Sequence, residues 1–191
     1  GTVRIDGRDV KSIPVDALRS MIGYVPQDVF LFSDTVAENI SFGTLGAEQS
    51  LIEKAALEAD LLDNISSFQD GFETFVGERG ITLSGGQKQR TSIARALIRQ
   101  PRILILDDAL SAVDVGTEQT ILGHLKKQFG KRTIVIVSHR ISAVKDADHI
   151  IVLDEGQIIE NGNHDSLVQE DGFYAALHHK QLLERELEEL A

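Results

Sequence analysis

The 191-residue chain has no cysteine and no tryptophan, a single methionine and three prolines. Without cysteine it forms no disulfide and offers no thiolate to a metal, which is compatible with a cytosolic location. No run approaches the roughly 18 apolar residues that a membrane-spanning helix needs, and the opening GTVRIDGRDV resembles neither a signal nor a transit peptide. Positive charge is scarce: 19 Lys and Arg stand against 30 Asp and Glu, for a formal charge of −11. That balance opposes sequence-independent binding to nucleic acid or to an anionic membrane surface, and no basic patch offsets it. No nucleic-acid partner is expected. An apolar fraction of 42% over this length supports one soluble globular domain with a sizeable core.

The segment LSGGQKQR, Leu83 to Arg90, is the most specific local pattern. Ser84 followed by Gln87 is a capping-box spacing, and Gly85 and Gly86 leave the amides of that turn uncovered. A helix is expected through QKQRTSIARALIR, with Ile93 over Leu97 and Ala94 over Ile98 as its buried stripe, Lys88, Arg90, Arg95 and Arg99 mostly facing water, and Pro101 marking its end. A helix start with bare amides, a hydroxyl and nearby positive charge can seat a phosphate. Taken alone, the pattern is more simply an ordinary capped helix with a tight glycine turn.

Upstream, TVRIDGRDV predicts a hairpin turning at Asp6 and Gly7, Asp16 a short turn, and MIGYV a short strand stopped by Pro26. Apolar residues at 51, 52, 55, 56, 59 and 62 predict one amphipathic helix from about Thr44 to Asp63. Together with the loop QDGFETFVGERG and the capped helix, this makes residues 44–100 a helical insert between α/β parts at 1–43 and 101–191. The runs Ile103 to Leu106 and Ile134 to Val137 read as buried parallel strands. Each ends abruptly in polar residues, Asp107 and Asp108 after the first, Ser138 and His139 after the second. Ligands of open α/β sheets bind beyond the carboxyl ends of the strands, so both polar pairs are expected at one site. A hairpin around Asp154 to Gly156 and a charged terminal helix complete the chain.

ILILDDALSAVD has the form of a Walker B strand, in which a carboxylate after four apolar residues holds Mg²⁺ on nucleotide phosphates. Asp107 takes that place, and Asp108 stands where a general base or water-positioning carboxylate would. Paired aspartates also cap helices, a lone histidine after a strand is commonly structural, and Gln27 after a proline is ordinary loop material.

The order of Gln27 in YVPQD, LSGGQKQR, ILILD with Asp108, SAVD at Ser111 to Asp114 and SHR at Ser138 to Arg140 resembles the nucleotide-binding domain of ABC transporters over essentially the whole chain. FVGERG, with Glu78, resembles the loop that ABC exporters place against their membrane helices. The resemblance implies an α/β fold, a P-loop NTPase-like parallel sheet with an inserted helical subdomain and a C-terminal hairpin and helix. It implies ATP and Mg²⁺ as cofactors. Gln27 would touch Mg²⁺ or the attacking water, Asp107 would contact Mg²⁺ through water, and His139 would reach the γ-phosphate. Ser84, Gly85, Gly86 and Gln87 would bind the γ-phosphate of ATP held by a second, head-to-tail nucleotide-binding domain, and Asp114 would link the two sites. Tyr24 looks like a neighbour of the Gln27 loop rather than a base-stacking residue. A transmembrane domain, reached through coupling helices, would be the other partner, placing the chain at the cytoplasmic face of a cell membrane.

Two features depart from the family's pattern. No G-x-x-x-x-G-K-[ST] string occurs, and the family's adenine-stacking aromatic is also missing, so the chain is read as incomplete at its N-terminus and is expected to bind ATP poorly and not hydrolyse it alone. Asp108 stands where active members carry glutamate, one methylene longer. This resembles the degenerate-site half of a heterodimeric exporter. The competing expectations are a soluble ABC ATPase unconnected with transport, opposed by the charge and FVGERG, and a non-catalytic dimerisation half that supplies only the signature segment.

Overall fold

Positive backbone φ at Asp6 (49°) and Gly7 (76°) turns β1 (Arg4–Ile5) back onto β2 (Arg8–Asp9), the mirror-image turn that suits strand twist. The computed structural model describes residues 1–44, 46–77, 81–127 and 130–189. They fall into two compact units, Gly1–Val137 and Ser138–Ala191.

In the first unit, helix α1 (Val15–Met21) starts behind Pro14, where a missing N–H costs nothing, and runs directly into β3 (Ile22–Val25). Then follow α2 (Val36–Ser41), α3 (Gln49–Glu58), α4 (Leu62–Ser67), α5 (Gly85–Leu97), β4 (Ile103–Asp107), α6 (Val115–Lys126) and β5 (Thr133–Val137). The sheet is parallel in the order β3-β4-β5, pairing Tyr24 with Ile105 and Leu106 with Ile136. On one face Val25, Leu104 and Leu106 are fully buried. Gly23 lets α5 and its exit turn close on that face: a Cβ there would lie 2.7 Å from Pro101 Cγ and 3.1 Å from the Ala96 carbonyl. The strands are not buried on both sides as expected, because β5 alternates, with Val135 and Val137 exposed on the face that also carries Tyr24 and Asp107.

The single helix expected from Thr44 to Asp63 is two. Asp60 adopts φ 54°, and the bonds Leu61 N–H to Ala56 O (2.9 Å) and Asp60 N–H to Leu57 O (3.0 Å) close a left-handed helix stop before α4 begins. Apolar periodicity runs through that stop because buried Leu61 continues the apolar face.

In α5 the stripe of Ile93, Ala94, Leu97 and Ile98 is buried as its spacing required. Two of its cations are not turned to water. Arg90 donates to the Asp60 carbonyl and lies 3.9 Å from its carboxylate. Arg95 donates to the carbonyls of Asn39 (2.7 Å) and Phe30 (2.9 Å) and sits over the rings of Phe32 and Phe42; burial lowers its pKa. These bonds tie the segment after Gln27 to α2 and α5.

The second unit holds α7 (Ile141–Val144), the hairpin of β6 (Ile150–Asp154) and β7 (Gln157–Gly162), α8 (His164–Gln169) and α9 (Phe173–Glu189). Ile141, Ile150, Leu167 and Tyr174 form its core.

Candidate functional site

Helix α5 begins where the capping pattern placed it. Ser84 is extended (φ −62°, ψ 163°), its hydroxyl accepts the Gln87 N–H at 3.2 Å, and Gln87 Oε1 accepts the Ser84 N–H at 2.9 Å. The reciprocal bonds satisfy Gln87, while the N–H groups of Gly85 and Gly86, first in the helix, have no intrahelical acceptor. An exposed hydroxyl and two amides with no acceptor among the described residues then point along the positive end of a 13-residue helix. The side-chain oxygen of Gln87 is engaged in holding this turn, and its Nε2 amide is the remaining donor of that side chain.

This helix start is seated on the segment after β4. A Cβ on Gly86 would lie 2.9 Å from the Ala112 carbonyl, and one on Gly85 would lie 3.5 Å from Ala112 Cβ. Buried Gln89 then bridges the two: its Oε1 accepts the Ala112 N–H (2.9 Å) and its Nε2 donates to Ser111 Oγ (3.1 Å). Sequence reading passed over Gln89. The signal was there, a glutamine four residues before Ile93 on the buried stripe, where an amide stays only if both its ends are bonded.

At the carboxyl end of β4, Asp107 is half-buried and its Oδ2 accepts the Tyr24 hydroxyl at 3.0 Å. The two side chains share a sheet face as a diagonal pair, and the bond raises the pKa of Tyr24. Asp108 is in the left-handed region (φ 47°), held by its N–H to Val137 O (2.9 Å) and by Ser111 Oγ donating to its carbonyl (2.8 Å). Asp114 caps α6, its Oδ1 accepting the Thr117 N–H at 3.0 Å, and that bond holds its pKa below the carboxylate norm. Gln27 is exposed in the bend that follows β3.

The first unit therefore gathers Ser84, Gly85, Gly86 and Gln87 against the Ser111 to Asp114 segment, and puts Asp107 and Asp108 at the sheet's carboxyl edge. His139 belongs to the second unit, exposed in the turn before α7. Glu78 lies outside the described residues.

A family described as ABC transporter matches residues 1–111. The chain belongs to that family. It is 46% identical over 95% of its length to "ATP-binding cassette sub-family B member 6" of Xenopus tropicalis, of which it covers 21%. It is 43% identical over 96% of its length to an ATM1-type heavy metal exporter of Novosphingobium aromaticivorans, covering 30% of that protein. Among solved structures, a bacterial Atm1-family ABC exporter with ATP bound superimposes with a TM-score of 0.89 at 43% identity, over 95% of this chain and 32% of that one. This ABC chain thus spans a fifth to a third of the length of the relatives it matches. The α/β fold with its parallel sheet is that of the exporter ATP-binding domain. No helix among the described residues is long and apolar enough to cross a membrane.

Proposed function

We propose that the chain works within the ATP-hydrolysing motor domain of an ABC-type membrane exporter, pairing head to tail with a second such domain. The observation that carries this reading is the start of α5. Ser84 and the amides of Gly85 and Gly86 make an open phosphate seat with no occupant among the described residues, as expected if the nucleotide is held by the partner domain. The exporter named for Novosphingobium aromaticivorans and the ATP-bound exporter structure support the same assignment.

The carboxylates of Asp107 and Asp108 and the amide oxygen of Gln27 are hard donors of the kind Mg²⁺ selects, usually with one or two carboxylates and the substrate's phosphates completing its shell. Bound Mg²⁺ would neutralise phosphate charge; Asp107 and Gln27 would hold it, Asp108 would orient the attacking water and His139 would contact the γ-phosphate. Asp114 would align the neighbouring site. A groove of about 240 Å³ lined by Val29, Phe30, Leu31, Val76, Ile81 and Leu83 supports docking of coupling helices from a transmembrane domain, at the cytoplasmic face of the membrane.

A degenerate site of its own is favoured by Asp108. Its backbone is bonded to Val137 and Ser111, and both bonds oppose a shift that would recover the missing methylene. The chain would then complete its partner's active site while turning over slowly at its own.

The test is made on the full-length protein in lipid vesicles. In a background cleared of cysteines outside this chain, which itself has none, Ser84→Cys gives a single reporter, expected to crosslink to a cysteine in the partner's phosphate-binding loop only with ATP present. Absence of Mg²⁺-dependent ATP turnover, or a crosslink indifferent to ATP, rejects the reading.

A further inference from the structure

His139 sits in a three-residue link, Ser138 to Arg140, that belongs to no helix or strand. Its position is therefore set by whatever grips its backbone. The grip comes from the terminal helix, about forty residues on. Gln181 Nε2 donates to the His139 carbonyl at 2.7 Å, and Gln181 Oε1 accepts the Ile141 N–H at 2.9 Å. One planar carboxamide thus fixes the peptide groups on both sides of Arg140, as a paired strand would.

Helix α9 is itself well anchored in this unit. At its start the Glu160 carboxylate accepts the Phe173 and Tyr174 N–H groups. Tyr174 is buried in the core with Leu177 packed beside it, and its hydroxyl meets His164 Nδ1 at 2.9 Å. Tyr174, Leu177 and Gln181 follow helical spacing on one face. That face is not a solvated surface: it runs from the core to the backbone of His139.

We propose that Gln181 is the positioning residue for His139, so that α9 sets whether the histidine reaches the terminal phosphate of ATP. This rests on the role given to His139 above. Glutamine suits the task because it presents a donor and an acceptor together and does not titrate. Glutamate keeps the acceptor for Ile141 and loses the donor to His139; methionine keeps volume and helix propensity and loses both.

The experiment uses the full-length protein in lipid vesicles. Gln181→Met is expected to lower kcat for ATP at this chain's own site, read as single-site turnover, by about ten- to a hundredfold, the scale of an ångström's misplacement, with KM for ATP within about twofold. Hydrogen exchange at the Ile141 amide should accelerate in the same variant. Gln181→Glu should keep most of that protection and fall between wild type and Gln181→Met in kcat. Combined with His139→Ala, Gln181→Met should cause no further loss, since it acts only through that residue. If Ile141 exchange accelerates while kcat stays at the wild-type value, Gln181 merely caps α7 and the proposal is overturned. An added loss on the His139→Ala background overturns it equally. If His139→Ala itself leaves kcat unchanged, the failure lies in the phosphate role of His139, and the positioning proposal falls with it.

Discussion

Gly86 lies so close to Ala112 that a β-carbon on it would stand 2.9 Å from the Ala112 carbonyl oxygen. The glycine is therefore fixed by clearance as well as by the amide it presents. Signature helix and Ser111 to Asp114 segment pack backbone to backbone, with Gln89 bonding both ends of its amide across the contact. The phosphate seat and the cap of α6 are in effect one piece.

Gly86→Ala should push α5 off this segment. A cost of about 1–3 kcal/mol, the usual range for overpacking, is expected as a fall in melting temperature together with loss of ATP-dependent pairing. At Gly85 the added carbon makes ordinary contact at 3.5 Å, so Gly85→Ala should melt near the wild-type temperature. Equal melting of the two variants would refute the clearance argument.

Gln89→Leu keeps the volume and leaves the Ala112 N–H without its acceptor. A loss of about 1–3 kcal/mol is expected from one buried unsatisfied group, read by denaturant unfolding. Gln89→Glu retains that acceptor but sets a buried carboxylate against Ser111 Oγ, whose one proton already goes to the Asp108 carbonyl, so it should lose at least as much. A Gln89→Leu variant as stable as wild type would show that the bridge is idle.

Asp108→Glu sets two effects against each other. The longer carboxylate recovers about an ångström of reach and should raise ATP turnover at this chain's own site by roughly a hundredfold. Its φ of 47° favours aspartate over glutamate, so stability should fall by about 1 kcal/mol. Single-site turnover in the full-length protein and a melting curve measure the two separately. Unchanged turnover would remove the case for a degenerate site.

Local chemistry made much of this legible. The Asp6–Gly7 turn, the capping box at Ser84 and Gln87 and the strand over the apolar run at Ile103 each depend on neighbours within four residues and formed as their patterns required, although the two-sided burial expected of the strands did not. What escaped was set at long range. Arg95 looked like a surface cation, yet it is drawn inward by carbonyls of Phe30 and Asn39, more than fifty residues away. Gln181 carries no local signature, and Gln89 only its place on the buried stripe, since an amide's partners are chosen by the fold. The break at Asp60 was hidden for the opposite reason: Leu61 keeps the apolar rhythm while the backbone stops.

A pH dependence follows from the histidines of the second unit. His178 on α9 packs edge-to-face on His164 (5.1 Å between ring centroids) and lies beside His179. Its Nδ1 is buried without a partner among the described residues. Desolvation first, then the charges of His164, His179 and Lys145, hold its pKa below the ordinary 6.5. A base with a depressed folded pKa binds fewer protons folded than unfolded, so its contribution is fully present above about pH 6.5 and is lost as pH falls through the folded value. Hydrogen exchange of α9 amides should therefore speed up between pH 7 and pH 5 relative to the unfolded-chain rate, loosening the helix that holds Gln181. His178→Gln, which does not titrate, should flatten that dependence. If the variant keeps the full wild-type slope, the acid sensitivity of α9 belongs to other groups and His178 is a passive packing residue.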